Sequence, residues 1–168
     1  MPSAATESCF DVALWFVEKA RFDNSYLQAQ KLQRLLWLAQ GHNAATYHGR
    51  KLMPATFVAK SVGPVEPNVF RAFGLGRPEM PEAMPPPGVV DFLERLWSRF
   101  GHHTTDHLTK MVRAHRNYDL VLNMGEDTEI PFEDIADYFA AQRKKQPKTV
   151  VRSEDGREWK KWTPLAVK

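Results

Sequence analysis

Six histidines and one cysteine are the reactive side chains that this 168-residue sequence offers first. His103 and His107 stand four apart, the spacing that turns two imidazoles to one side of a helix and toward one metal ion, with His102 and Asp106 close by. A structural zinc site needs about four ligands, and no second cluster with ligand spacing completes this one. The expectation is no metal. Cys9 falls within the first predicted helix beside Phe10, where a free thiol is a small packed residue more often than a nucleophile. No Gly-x-Ser-x-Gly stretch occurs. Gly74 and Gly76 of "GLGRPE" precede a proline-rich loop instead of joining a strand to a helix, which excludes a nucleotide fingerprint. The residue types therefore predict a protein that acts by binding, without enzymatic turnover and without a cofactor.

Binding chemistry concentrates at the C-terminus. Arg143 to Lys168 holds nine Lys or Arg against three acids, a charge of +6, which leaves −3 for Met1 to Gln142 out of the net +3. A mildly acidic body thus carries a basic tail that would meet an acidic partner. Within it, Trp159 and Trp162 are the expected anchors to a partner, with Arg152, Arg157, Lys160 and Lys161 steering association. The same mixture of cations and stacking surfaces suits single-stranded nucleic acid, the rival reading. Against it, the body has no clearly basic recognition helix.

The elements that must position these groups follow from the apolar spacing. Phe10, Ala13, Leu14 and Val17 line one face of a first helix, with Ser8 and Asp11 at its start. Leu32, Leu35, Leu36 and Ala39 repeat the spacing in a second, over about 28–47, while Lys31, Gln33, Arg34 and Gln40 are expected on its other faces. Trp37 and Leu38 widen its apolar surface, so it should be central. "TFVAKSV" favours a short strand, and 66–73 a short helix. "GLGRPEMPEAMPPPG" is a loop. Leu93, Leu96, Trp97 and Phe100 mark a fourth helix closed by Gly101 in a left-handed conformation. Leu108, Met111, Val112 and His115 mark a fifth, and Pro131 opens a last one carrying Phe132, Ile135, Ala136 and Phe139. Beyond Pro147, "TVVRSEDGREWKKW" has the shape of a hairpin turning at Asp155-Gly156.

With 43% hydrophobic residues the chain can bury a core unaided. A lone cysteine forms no internal disulfide, which fits a reducing cytoplasm. The N-terminus lacks the basic start and uninterrupted apolar core of a signal peptide, and no apolar run approaches the roughly 18 residues of a membrane span. The expected architecture is a single, mostly α-helical α+β domain over 1–142 with a small strand region, and a basic, Trp-containing extension over 143–168.

Between strand and short helix lies "SVGPVEPNVF". Pro64 and Pro67 fix their own φ and push Gly63 and Glu66 toward extended backbone, while Pro67 suits a first helical turn and Glu66 sets negative charge near it. The stretch is a pre-shaped strand-to-helix corner.

The ordered segments "DVALWFVEKA", "KLQRLLWLAQG", "GRKLMPATFVAKSVGPVEPNVF" and "IPFEDIADYF" resemble the Panacea domain, the antitoxin domain of SocA-type toxin–antitoxin systems. That family's pattern is a Lys-Leu-x-Lys/Arg-Leu-Leu helix followed by a Gly-Pro-Val-x-Pro corner. It falls here on Lys31, Leu32, Gln33, Arg34, Leu35 and Leu36, then on Gly63, Pro64, Val65 and Pro67. The resemblance runs from about Phe10 to Phe139 and leaves the tail outside. It implies a small cytoplasmic protein that binds and neutralises a co-expressed protein toxin, and for the SocA type an adaptor presenting the toxin to an ATP-dependent protease such as ClpXP. The alternative is a DNA-binding regulator that uses the basic tail.

Overall fold

Ser8 begins the first helix as its spacing predicts: its backbone is extended and its Oγ accepts the Phe10 N–H at 3.1 Å. From there the chain runs through α1 (Cys9–Phe22), α2 (Ala29–Thr46), β1 (Phe57–Lys60), β2 (Gly63–Val65), α3 (Pro67–Ala72), α4 (Pro87–Phe100), α5 (Thr105–Arg113), α6 (Arg116–Asn123), β3 (Thr128–Ile130) and α7 (Phe132–Lys145). A computed structural model describes residues 3–81, 84–114 and 116–145, and the backbone of two further strands, β4 (Val150–Arg152) and β5 (Glu158–Lys160). The architecture is α+β and mostly helical. Its sheet is antiparallel in the order β2-β1-β3, with Val58 opposite both Val65 and Glu129. Among the described residues no helix is long and apolar enough to cross a membrane.

Helix α2 is the axis of the molecule and packs against α1, α4, α5, α7 and β2. Its leucine stripe is core: Leu32, Leu35 and Leu36 are buried, and Trp37, wholly buried, meets Phe57 and Phe139 edge-on at 5.4 and 6.5 Å. Gln33, Arg34 and Gln40, expected on the other faces of this helix, are all buried. A helix surrounded on every side has no wet face, so its polar side chains must find partners inside. Gln40 is typical. Its Oε1 accepts the N–H groups of Leu52 and Met53 at 3.0 and 3.2 Å, and its Nε2 donates to Met53 O at 3.0 Å, which holds the segment before β1 onto the helix.

Glycine in the middle of α2 has a packing reason. The Phe139 ring of α7 lies directly on Gly41, where a Cβ would overlap it. Gly101 also departs from expectation, because its backbone is right-handed, at φ −61° and ψ −26°. The Trp97 ring instead lies against it, and an added Cβ would stand 2.5 Å from Trp97 Cδ2. Close approach, not a left-handed turn, requires glycine there.

Two elements escaped the sequence patterns. Helix α5 ends at Arg113, short of His115, which lies outside the described residues, and the separate α6 follows. Strand β3 has only three residues, too few for an alternation to register, and it enters through positive φ at Gly125 and Asp127. The short helix is α3, with Pro67 in its first turn, and α4 starts at Pro87 within the proline-rich stretch. Helix α7 continues to Lys145, so the division drawn at Gln142 falls inside it. Arg143, Lys144 and Lys145 form its last turn, where cations complement the helix dipole.

Candidate functional site

The two sequence patterns 27 residues apart, Lys31–Leu36 and Gly63–Pro67, meet in space. Strands β1 and β2 join through Ser61 and Val62, with Lys60 opposite Gly63. Gly63 takes φ +123°, a conformation that L side chains rarely adopt, and the Arg34 guanidinium lies on it. A Cβ there would stand 2.5 Å from Arg34 Cζ. Arg34 Nη2 donates to Val62 O, Nη1 to Pro64 O at 3.5 Å, and Nε to Thr109 Oγ1 at 3.2 Å. No carboxylate pairs with this buried cation among the described residues. Burial lowers its pKa from the ordinary value, and carbonyl dipoles replace the water it has lost. From the other side, the Tyr118 hydroxyl of α6 donates to Lys60 O. The turn is therefore gripped at the carbonyls of Lys60, Val62 and Pro64.

Beyond the turn the same helix reaches further. Gln33 Oε1 accepts the Glu66 N–H at 2.8 Å, and buried Glu66 caps α3 by accepting the Val69 N–H at 2.7 Å. Lys31 Nζ donates to Gly101 O at 2.6 Å, tying the end of α4 to α2. Lys31, Gln33 and Arg34 thus each fasten a different segment, while Leu32, Leu35 and Leu36 fill the core between them. The signal available in sequence was a polar pair inside an unusually wide apolar helix face.

The outer side of this braced corner is an open groove of about 740 Å³, walled by Val58, Val65, Pro67, Phe70 and Leu75. Phe70 and Leu75 are exposed, as is Val62 on the turn. Lys60 and Asp127 form an ion pair of 2.7 Å at its rim. Apolar side chains on a fixed backbone make a contact surface with little ordering entropy to lose on binding.

The chain matches no family model, no curated protein and no solved structure.

Three of the six tail residues predicted to meet a partner lie on described backbone. Val151 pairs with Trp159, Arg152 with Glu158 and Val150 with Lys160, so the two strands expected of a hairpin are antiparallel neighbours. Arg157, Lys161 and Trp162 fall outside the described residues, as does the Asp155-Gly156 turn.

The residues with reactive potential are placed as follows. The imidazoles of His103 and His107 lie 4.5 Å apart, and among the described residues no third metal-ligating side chain joins them. Cys9 is buried at the start of α1, and burial, helped by the nearby charge of Glu66, pushes its thiol up to about 12. At pH 8 such a group is almost wholly protonated, and the thiolate is the reactive species. Iodoacetamide should therefore modify the native protein at least about a hundredfold more slowly than the denatured chain. Native and denatured rates within tenfold of each other, read by mass spectrometry, would contradict this placement.

Proposed function

We propose that this protein is an antitoxin of the Panacea type, which binds a co-expressed protein toxin in the cytoplasm and neutralises it without turnover. The observation that supports the reading is the contact between Arg34 and Gly63. The two patterns that carry the family resemblance are one interlocked unit, as expected if they describe a shared structural core and not a chance alignment of short motifs. The exposed groove beside that unit and the basic tail with Trp159 and Trp162 are the surfaces for the partner. Adaptor action on an ATP-dependent protease is the finer form of the proposal.

The test is co-expression with the product of the neighbouring gene, followed by affinity purification and growth rescue. A stable complex with relief of toxicity is expected, and failure of both would end the antitoxin reading. In the purified complex, Trp159→Ala with Trp162→Ala should raise the dissociation rate at any salt, a loss of about 2 kcal/mol or more. Charge reversal at Arg152, Arg157, Lys160 and Lys161 should instead slow association, most at low salt. For the adaptor form, toxin incubated with a ClpXP-type protease should disappear faster when this protein is present. Equal toxin lifetimes despite binding would leave steric neutralisation. DNA binding lost on removal of residues 147–168, with toxin affinity unchanged, would assign the tail to the rival, nucleic-acid partner.

A further inference from the structure

Further along α2 from the braced corner, toward its C-terminal end, α4, α5 and α7 enclose a cleft of about 370 Å³ that the binding surfaces above do not use. Its wall is a run of aromatic rings. His42 stacks on Phe100 at 5.3 Å and meets the Phe139 edge at 4.9 Å, and the Arg99 guanidinium covers the Phe100 ring at 4.8 Å. Leu38, Met111 and Val112 add aliphatic surface. Arg143 stands across from them, donating one bond to Ala45 O at 3.1 Å. Neither arginine has a carboxylate partner among the described residues, and no acidic side chain lines the cleft.

We propose that this cleft binds a small aromatic carboxylate, with its ring against the His42, Phe100 and Phe139 wall and its acid group between Arg99 and Arg143. The volume is at the lower end of ligand pockets and suits about two fused rings with one headgroup. Two guanidinium groups facing one cavity without a counter-charge favour an anion, and guanidinium forks match a carboxylate in bidentate geometry. The apolar wall rewards a planar ring over a compact inorganic ion. His42 reports on occupancy. It makes no hydrogen bond within the described residues, and burial, with Arg99 and Arg143 adding repulsion, pulls its pKa to about 4. A carboxylate between the two arginines would relieve that repulsion and raise it.

The probe is 2-naphthoate, added to the full chain near neutral pH and followed by calorimetry and by the His42 resonances. Saturable one-site binding is expected, with the neutral 2-naphthamide at least about tenfold weaker. Arg99→Gln and Arg143→Gln, both on exposed side chains, should each weaken naphthoate at least about fivefold, while Arg95→Gln on the outer face of α4 should not. The His42 pKa should rise in the bound state. Absence of saturable binding, equal affinity for the amide, or indifference to both cleft arginines in folded variants would overturn the proposal.

Discussion

Arg34→Lys should destabilise the protein nearly as much as Arg34→Met, each by about 3 kcal/mol in urea unfolding. A conservative reading of the position would expect lysine to rescue. The geometry opposes it, because one guanidinium reaches Val62 O, Pro64 O and Thr109 Oγ1 from three separate nitrogens while lying flat on Gly63. An ammonium is a single point of donors and cannot span that set. Removing the charge returns its desolvation cost, which can make loss of a buried ion neutral when its surroundings are repacked. Here two of the three acceptors, Val62 O and Pro64 O, are backbone carbonyls that cannot be repacked away, so unsatisfied oxygens remain and set the sign. Gly63→Ala should cost a similar amount, through contact with the guanidinium and through its positive φ. In an Arg34→Ala background only the backbone part of that cost should persist. The cycle separates the two terms, and Arg34→Lys within about 1 kcal/mol of the natural protein would refute the clamp.

The second large effect is one whose sign depends on context. Alanine is the better helix former by about 1 kcal/mol, so Gly41→Ala in an isolated helix would stabilise. In this protein it should destabilise by about 2–3 kcal/mol, because the new methyl overlaps the Phe139 ring and overpacking forces that ring or α7 to move. Phe139→Ala alone should cost about 3–4 kcal/mol through the lost burial and the cavity. Once that ring is gone, Gly41→Ala should become neutral or stabilising. Thermal and urea unfolding of the four proteins decide it, and a Gly41→Ala penalty that survives in the Phe139→Ala background would mean that something else occupies the space.

These two contacts also show what the sequence could and could not reveal. Helices with an apolar stripe and a cap were legible because both signals are local: Ser8 with Phe10 and Ala13, or Pro67 with Glu66, lie within one or two turns. The central place of α2 was legible from the width of its apolar face. The direction of Gln33, Arg34 and Gln40 was not, since a polar side chain pairs inside or outside according to neighbours distant in sequence. Gly41 carried no signal of its own, because the residue that demands it is Phe139. At Gly101 the glycine was noticed but its cause was mistaken, since a turn and a ring lying close leave the same letter. The candidate corner was visible as a stiff stretch through its prolines. Its clamp was invisible because Tyr118 and Thr109 belong to no motif. The charge of the tail was plain, whereas the helical state of Arg143 to Lys145 depends on α7 continuing past the last buried ring.

The strand order β2-β1-β3 sets a schedule for folding. Val58 finds Val65 across a turn of two residues, so the first ladder can close as soon as that turn forms, within microseconds for a hairpin. Arg34 precedes both strands, so its bonds to Val62 O and Pro64 O need neither β3 nor α7, while its third, to Thr109, waits for α5. The second ladder pairs the same Val58 with Glu129, and Phe139 must then travel back to Gly41. Contacts so distant in sequence carry a loop-closure cost that is met only when most of the chain is present. During synthesis β1 therefore waits with one edge open, and the floor of α2 stays bare, until the last quarter of the protein has left the ribosome. A chain cut short before α7 would keep its clamp yet expose the aromatic heart of the molecule, a form that quality-control proteases are well placed to remove.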